Sequence, residues 1–256
     1  MKRFVLFLFG IFMCTFAIAE QITINWLNED QTVNQTTTCT VGGDVILPTS
    51  PTKRGYTFQG WIANYTPIEY IESTGIQWID TGVYWKYDYS LQMNITSINN
   101  SGNFAFFGTS NNNGWLQGEV SMFWYDTRLD IGVPNSNTTG TGYRIEDVYY
   151  KNTNYILDYN NTGASITNAA SGVRKNVSFY NFYSDYISNK PLYLFSVYRS
   201  PGAFKLHSAR IYDNDILVRD MIPVLDYNGV PCMYDKVTDQ FFYNAGTGQF
   251  IAGPVL

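Results

Sequence analysis

The sequence predicts an all-β protein in which a small N-terminal module precedes a larger antiparallel two-sheet sandwich. Three observations predict it. First, aromatic residues fill 17% of the 256 positions and Gly numbers 21, while charged residues reach only 14%, a balance that suits pleated sheets joined by turns. Second, turn signals recur along the chain, among them Ser73-Thr74-Gly75, Asn99-Asn100-Ser101-Gly102, Asn160-Asn161-Thr162-Gly163 and Asn228-Gly229. Between them lie apolar or alternating runs: 103–108, 120–125, 155–158, 192–198 and 204–212. Third, no window after the N-terminal apolar run sustains a 3.6-residue periodicity, so helices drop out of the reading.

The first residues carry an export signature. Lys2 and Arg3 precede an apolar run from Phe4 to Phe16, and Ala17-Ile18-Ala19 follows it as a small-residue cleavage site. A run of about 13 residues falls short of the ~20 needed to span hydrocarbon, and no second apolar run follows, so no transmembrane segment is expected once the leader is gone. Residues 1–19 are therefore read as a signal peptide, and the protein as secreted or displayed at the cell surface, with the periplasm as an alternative. Cleavage takes away two positive charges and leaves 14 Lys+Arg against 21 Asp+Glu, a net charge of −7. Phosphate binding needs a clustered basic surface, whereas the longest basic runs are the pairs Lys53-Arg54 and Arg174-Lys175, so nucleic acid is excluded as a partner.

The segment 20–65 reads as short strands. Ile22, Ile24 and Trp26 alternate, and Gly43-Asp44-Val45-Ile46-Leu47-Pro48 is followed by Pro51-Thr52-Lys53-Arg54-Gly55-Tyr56-Thr57-Phe58-Gln59-Gly60-Trp61. Gly55 frees the chain to turn before the strand, and Tyr56, Phe58 and Trp61 supply apolar mass for a small core. These residues resemble the Listeria–Bacteroides repeat, the B-repeat of internalin-type surface proteins. The resemblance implies a β-grasp-like spacer or adhesive module, although only one copy is present.

Thr66-Pro67 marks the expected boundary, because proline lacks the N–H that strand pairing needs. The second domain, 68–256, has a resemblance of its own. It rests on 70–82 (Tyr-Ile-Glu-Ser-Thr-Gly-Ile-Gln-Trp-Ile-Asp-Thr-Gly), on Ile211-Tyr212-Asp213-Asn214 with Val218-Arg219-Asp220-Met221-Ile222-Pro223, and on Tyr234-Asp235-Lys236 through Asn244-Ala245-Gly246-Thr247-Gly248. These stretches look like the concanavalin A-like, LamG-like jelly rolls of bacterial surface and phage proteins. The resemblance implies a jelly-roll sandwich that binds glycans or proteins, or cleaves polysaccharides.

The residues test the enzymatic branch directly. Jelly-roll glucanases carry Glu-x-Asp-x-(x)-Glu on one strand, which places carboxylates on one face about 5 Å apart. The mature chain has Glu20, Glu29, Glu69, Glu72, Glu119 and Glu146, and none has Asp two residues later. The single histidine, His207, sits in an alternating run with no nucleophile nominated beside it, and reads as a structural strand residue. The chain is thus expected to be a non-enzymatic binding or adhesion protein, with a glycan or a cell-surface protein as partner. An assembly protein with no small ligand is the alternative.

Sugar rings stack on indoles and bond to amides, so aromatics beside Asn-rich loops are the candidate ligand residues: Trp85, Asn112, Asn113, Trp115, Trp124 and Tyr125. No cofactor is expected. Asp213 and Asp215 offer oxygen ligands to a structural Ca2+, yet they lack the Gly and distant Glu of an EF-hand loop, and a turn is the favoured reading. Cys39 and Cys232 survive cleavage, and they fit either a disulfide closing a loop of about 190 residues, worth on the order of 5 kcal/mol, or two separate buried thiols. The leader reading has a direct check: N-terminal sequencing of exported material should start at Glu20, and any other start refutes it.

Overall fold

The structure is a computed structural model. It describes residues 2–10, 21–27, 33–40, 45, 47–63, 65–98, 103–110, 119–125, 128–147, 151–197 and 201–256. No helix occurs among the described residues. The chain divides into two compact units, residues 1–66 with 226–229 and residues 67–225 with 230–256.

The first unit is a four-stranded sheet of β1 (Lys2–Gly10), β2 (Gln21–Leu27), β3 (Val33–Thr40) and β4 (Tyr56–Ala63), in the order β3-β2-β1-β4. Ile24 and Trp26 are buried while Thr23 faces out, as the alternation of β2 predicts. The Trp26 indole donates to Thr37 Oγ1 at 2.8 Å, so its polar edge is satisfied inside the small core. Gly55 adopts φ +82° in the turn ahead of β4, a conformation that glycine takes without strain. The side chains of Tyr56, Phe58 and Trp61 lie outside the described residues. β1 falls within the expected leader, where it pairs antiparallel with β2 and parallel with β4. Loss of residues 1–19 would therefore remove an inner strand of this sheet.

After the short β5 (Tyr65–Pro67) and β6 (Ile71–Glu72), the second unit forms two sheets. The six-stranded sheet holds β7 (Ile79–Lys86), β9 (Asn103–Ser110), β10 (Glu119–Tyr125), β11 (Arg128–Pro134), β12 (Gly140–Glu146) and β16 (Ile187–Leu194), ordered β12-β11-β10-β9-β16-β7. The facing sheet holds β8 (Tyr89–Ser97), β13 (Asn154–Tyr159), β14 (Gly163–Asn168), β15 (Arg174–Ser178), β17 (Phe204–Asp213), β18 (Ile216–Asp226), β19 (Pro231–Asp235) and β20 (Gln240–Phe242), with β6 and β21 (Ile251–Ala252) at its side. Pairing within both sheets is antiparallel. Period-two alternation turns Ile79, Val83 and Trp85 inward from one layer and Leu91, Met93 and Ile95 inward from the other, and one apolar core forms between them.

Tyr159 joins the layers. Its ring meets Trp85 and Phe107 of the opposite sheet edge-on, at 5.7 and 5.6 Å, and its hydroxyl donates to the Gly132 carbonyl at 2.8 Å. Burial is the main cause that raises its pKa well above that of a free phenol, so the group stays a neutral donor.

A second tie links the two ends of this unit. The buried Gln77 accepts at Oε1 from Ser73 Oγ and Thr74 N, and donates from Nε2 to the Gln249 carbonyl at 3.0 Å. Beside it, Asn244 Oδ1 accepts from Trp78 N, and Ala245 N donates to Trp78 O. Gly246 must be a glycine here, since a Cβ would lie 2.2 Å from the Ile76 carbonyl.

One sequence expectation changes. The run 192–198 is not one strand: β16 stops at Leu194, because Phe195 turns in with φ +65° to stack on Phe204 at 4.3 Å and to donate its N–H to Phe106 O. Cys39 is a half-buried free thiol in β3 of the first unit, and Cys232 is a free thiol buried in β19 of the second. Asp213 and Asp215 belong to a two-residue hairpin, in which Asn214 and Asp215 take φ of 47° and 63° and Asp213 pairs with Ile216. Among the described residues no group of three or more His, Cys, Asp or Glu is placed to hold a metal.

Replacing Tyr159 tests the inter-sheet tie. Tyr159→Phe should cost about 1 kcal/mol through the lost hydrogen bond, whereas Tyr159→Ala should cost about 3–5 kcal/mol and lower Tm by roughly 10 °C. Equal melting of the two variants would show that the ring contributes nothing beyond its hydroxyl.

Candidate functional site

A strand gives half its residues to the core, so chemistry is left to the outer face of each sheet. On the six-stranded sheet the outer face has an unusual composition. Register aligns Asp80 with Tyr193, Tyr193 with Gly108, Gly108 with Ser121, Ser121 with Gly132 and Gly132 with Gly142, a single row across all six strands. At ~4.8 Å per strand this row spans about 24 Å. Its middle consists of Gly, Ser, Gly and Gly, so the floor has almost no side-chain bulk.

The floor is sunk rather than flat. Ser121 is fully buried, and Gly108 and Gly132 are buried with it. A Cβ at Gly108 would lie 2.6 Å from Val197 Cγ2, and one at Gly132 would lie 2.6 Å from Ser121 Oγ and 3.2 Å from Glu119 Cγ. Val197 and Glu119 therefore lie over the floor. The Glu119 carboxylate, itself buried, accepts a hydrogen bond from Ser121 Oγ.

The two ends of the row differ in chemistry. At the β7 and β16 end, Trp78 meets Tyr193 edge-on at 4.7 Å, and Tyr84 stands half exposed beside them. Burial, followed by the neighbouring Asp80, raises the Tyr193 pKa and keeps its hydroxyl a neutral donor. Toward β11 and β12 the adjacent rows are charged. Asp130, 2% exposed, accepts from Arg128 Nε at 2.9 Å and from Arg144 Nε at 3.1 Å. Arg128 in turn lies over the Tyr125 ring, 4.7 Å from its centre. An aromatic end and a charged end suit an extended molecule with apolar faces and many hydroxyls.

The residues nominated from sequence fall in different places. Tyr125 is on this face and 42% exposed. Trp85 and Trp124 are fully buried in the inter-sheet core and cannot serve as platforms, which corrects that expectation. The reason is parity: Trp85 shares its face with Ile79 and Val83, and Trp124 with Val120 and Met122. Asn112, Asn113 and Trp115 lie outside the described residues. Sequence reasoning passed over Tyr193, Ser121 and Arg144, whose only signal was their place on the outward parity of alternating strands.

On the outer face of the other sheet the charged groups pair with their own neighbours, although Asn94 Oδ1 and Asn154 Oδ1 are buried there without a hydrogen-bond partner. Asp158 accepts from Gln92 and Ser165, Asp220 pairs with Arg210 and Lys236, and Thr96 Oγ1 meets His207 Nε2 at 2.8 Å. The Glu69 carbonyl accepts from His207 Nδ1 at 2.9 Å, so the imidazole is held at both nitrogens as a neutral ring.

This arrangement defines a β-sandwich with one sheet face open to chemistry. Residues 23–78 match the Listeria-Bacteroides repeat domain family. No curated protein matches the chain. Among solved structures it is similar to tailspike protein 2 of an Escherichia coli O157:H7 bacteriophage (11% identity, TM-score 0.42), covering 63% of this chain and 28% of that one. It is similar to a protein of Bacteroides ovatus ATCC 8483 provisionally named as carbohydrate binding (10%, 0.46), covering 92% and 68%. It is also similar to Xenopus laevis galectin-Ib (12%, 0.33), covering 54% and 100%. At these values none of them speaks to what this chain binds. No helix among the described residues is long and apolar enough to cross a membrane.

His207 gives the site its pH test. Burial, the largest cause, lowers its pKa below 6.5; the Glu69 carbonyl and charge oppose this, and Lys205 adds to it. The unfolded chain then binds the proton first, so stability is fully present above about pH 6.5 and is lost as pH falls toward the folded value. Tm should drop between pH 7 and 5 by more in the native protein than in His207→Gln. An equal drop in both would mean that this ring carries no part of the pH dependence.

Proposed function

We propose that this chain is an exported binding protein of the bacterial surface, and that its sandwich domain holds a glycan across the outer face of the six-stranded sheet. The transverse row from Asp80 to Gly142 carries the reading. Tyr193 and Trp78 offer aromatic edges and faces at one end of it, and Asp80 supplies an acceptor beside them. A sugar chain presents both kinds of surface along its length. The leader signature and the repeat module support the surface location.

Binding without turnover is part of the proposal. A glycosidase needs two carboxyl groups with separate proton roles. Of the buried carboxylates on this face, Asp130 is engaged by two arginines and Glu119 accepts from Ser121, so both are committed to structural bonds. Neither Asp nor Glu stands two residues from Glu119 in the arrangement of a glucanase strand.

A glycan panel probed with the exported protein tests this directly. Tyr193→Ala and Tyr125→Ala should each weaken binding about tenfold, which corresponds to ~1.4 kcal/mol, while Trp85→Ala should instead lower Tm by about 10 °C through core loss. Release of reducing ends from any polysaccharide in the panel would overturn the non-enzymatic part. No binding to any glycan would overturn the whole.

A further inference from the structure

We infer that the glycan held on this face is acidic, and that Arg144 is the residue that reads its carboxylate. The inference rests on the glycan-binding reading above and names the ligand class within it. Arg144 stands in β12 on the outer face, one register step from Asp130, which is itself paired with Phe123 of β10. Its side chain is 57% exposed, in contrast to the 2% of Asp130.

The geometry divides the guanidinium into two parts. Nε donates to Asp130 Oδ1 at 3.1 Å, and the two Nη groups make no other hydrogen bond or ion pair among the described residues. Asp130 does not depend on Arg144 for neutralisation, because Arg128 already grips it twice, Nε to Oδ1 at 2.9 Å and Nη2 to Oδ2 at 3.4 Å. Arg144 is thus an exposed cation anchored at Nε, with its two Nη groups left for a ligand. Such a fork matches a carboxylate in two parallel hydrogen bonds, and its orientation is set before the ligand arrives.

Asp130 and Glu146, the latter aligned with Arg128, balance Arg128 and Arg144, so selectivity rests on the geometry of the Arg144 fork and not on a net charge. The half-buried Phe123 beside Asp130 gives the sugar ring an apolar neighbour while its carboxylate reaches Arg144. A neutral glycan would leave the Nη donors to water, whereas a uronic acid or a similar carboxylated sugar would use them.

The test pairs polygalacturonate, alginate and hyaluronate with their carboxyl-reduced counterparts, which keep the chain and lose the charge. The exported protein should bind at least one acidic polymer about tenfold more tightly than its reduced form, and the difference should shrink as salt is raised. Arg144→Gln should erase the preference by bringing binding of the acidic form down to that of its reduced counterpart, with Tm unchanged because Arg128 still pairs with Asp130. Arg144→Lys should restore little of it, since an ammonium lacks the fork. If reduced forms bind as well as acidic ones, or if Arg144→Gln keeps the preference, the inference fails and the glycan reading stands. If neither form of any polymer binds, both fail.

Discussion

The sandwich depends on one constraint: two sheets must share a core that takes every second residue from each, and Tyr159 ties them through both its ring and its hydroxyl. Its ring lies against Trp85 and Phe107 across the layer, and its hydroxyl reaches the backbone of β11 at Gly132. That contact fixes the spacing at the strand that carries both Asp130 and the glycine floor. The outer face is therefore built on the part of the sheet least free to move. Rigid scaffolding beneath a site is what keeps donors oriented without a ligand present.

The most recognisable stretches of the sandwich sequence turn out to be structural. The segment from Tyr70 to Gly82 and the Asn244–Gly248 loop lie side by side, and Gln77 and Asn244 bond their backbones together. Gln77 sits 3% exposed with its amide oxygen and nitrogen both used, so it is a clasp and not a ligand group. A buried amide with every bond made is stabilising, and one left open is costly. This explains why those residue types occur together at opposite ends of the domain without assigning them a function.

The fold was legible in the sequence to the extent that it is local. Alternation located β10, β13 and β17 to within a residue or two, and turn residues such as Asn214-Asp215 marked hairpins. Alternation also held the answer for Trp85 and Trp124, since each shares parity with aliphatic neighbours, but neighbouring Asn-rich loops outweighed it. The transverse row was not legible. It depends on which strands lie beside β9, and β16 reaches it from about 80 residues away along the chain. Nor could a bulge be foreseen: the extra residue Phe106 shifts the β9–β10 register, and with it which residues stand opposite Phe123.

The contrast between the two outer faces decides where binding belongs. On the larger sheet, charges are consumed by their own neighbours, Asp158 by Gln92 and Ser165 and Asp220 by Arg210 and Lys236. A ligand there would have to displace bonds already made, and gain little by it. On the smaller sheet, glycine replaces side chains along the middle of the row, and Arg144 is bonded along only one edge. Glycine inside a strand weakens it, because it adds backbone freedom and packs nothing. Gly108 and Gly132, opposite Ser121 on both sides, are a local cost to the sheet, and Val197 and Glu119 fill the space that side chains would take there, so the groups left to meet a ligand are the exposed ones toward the two ends, Tyr84 and Arg144.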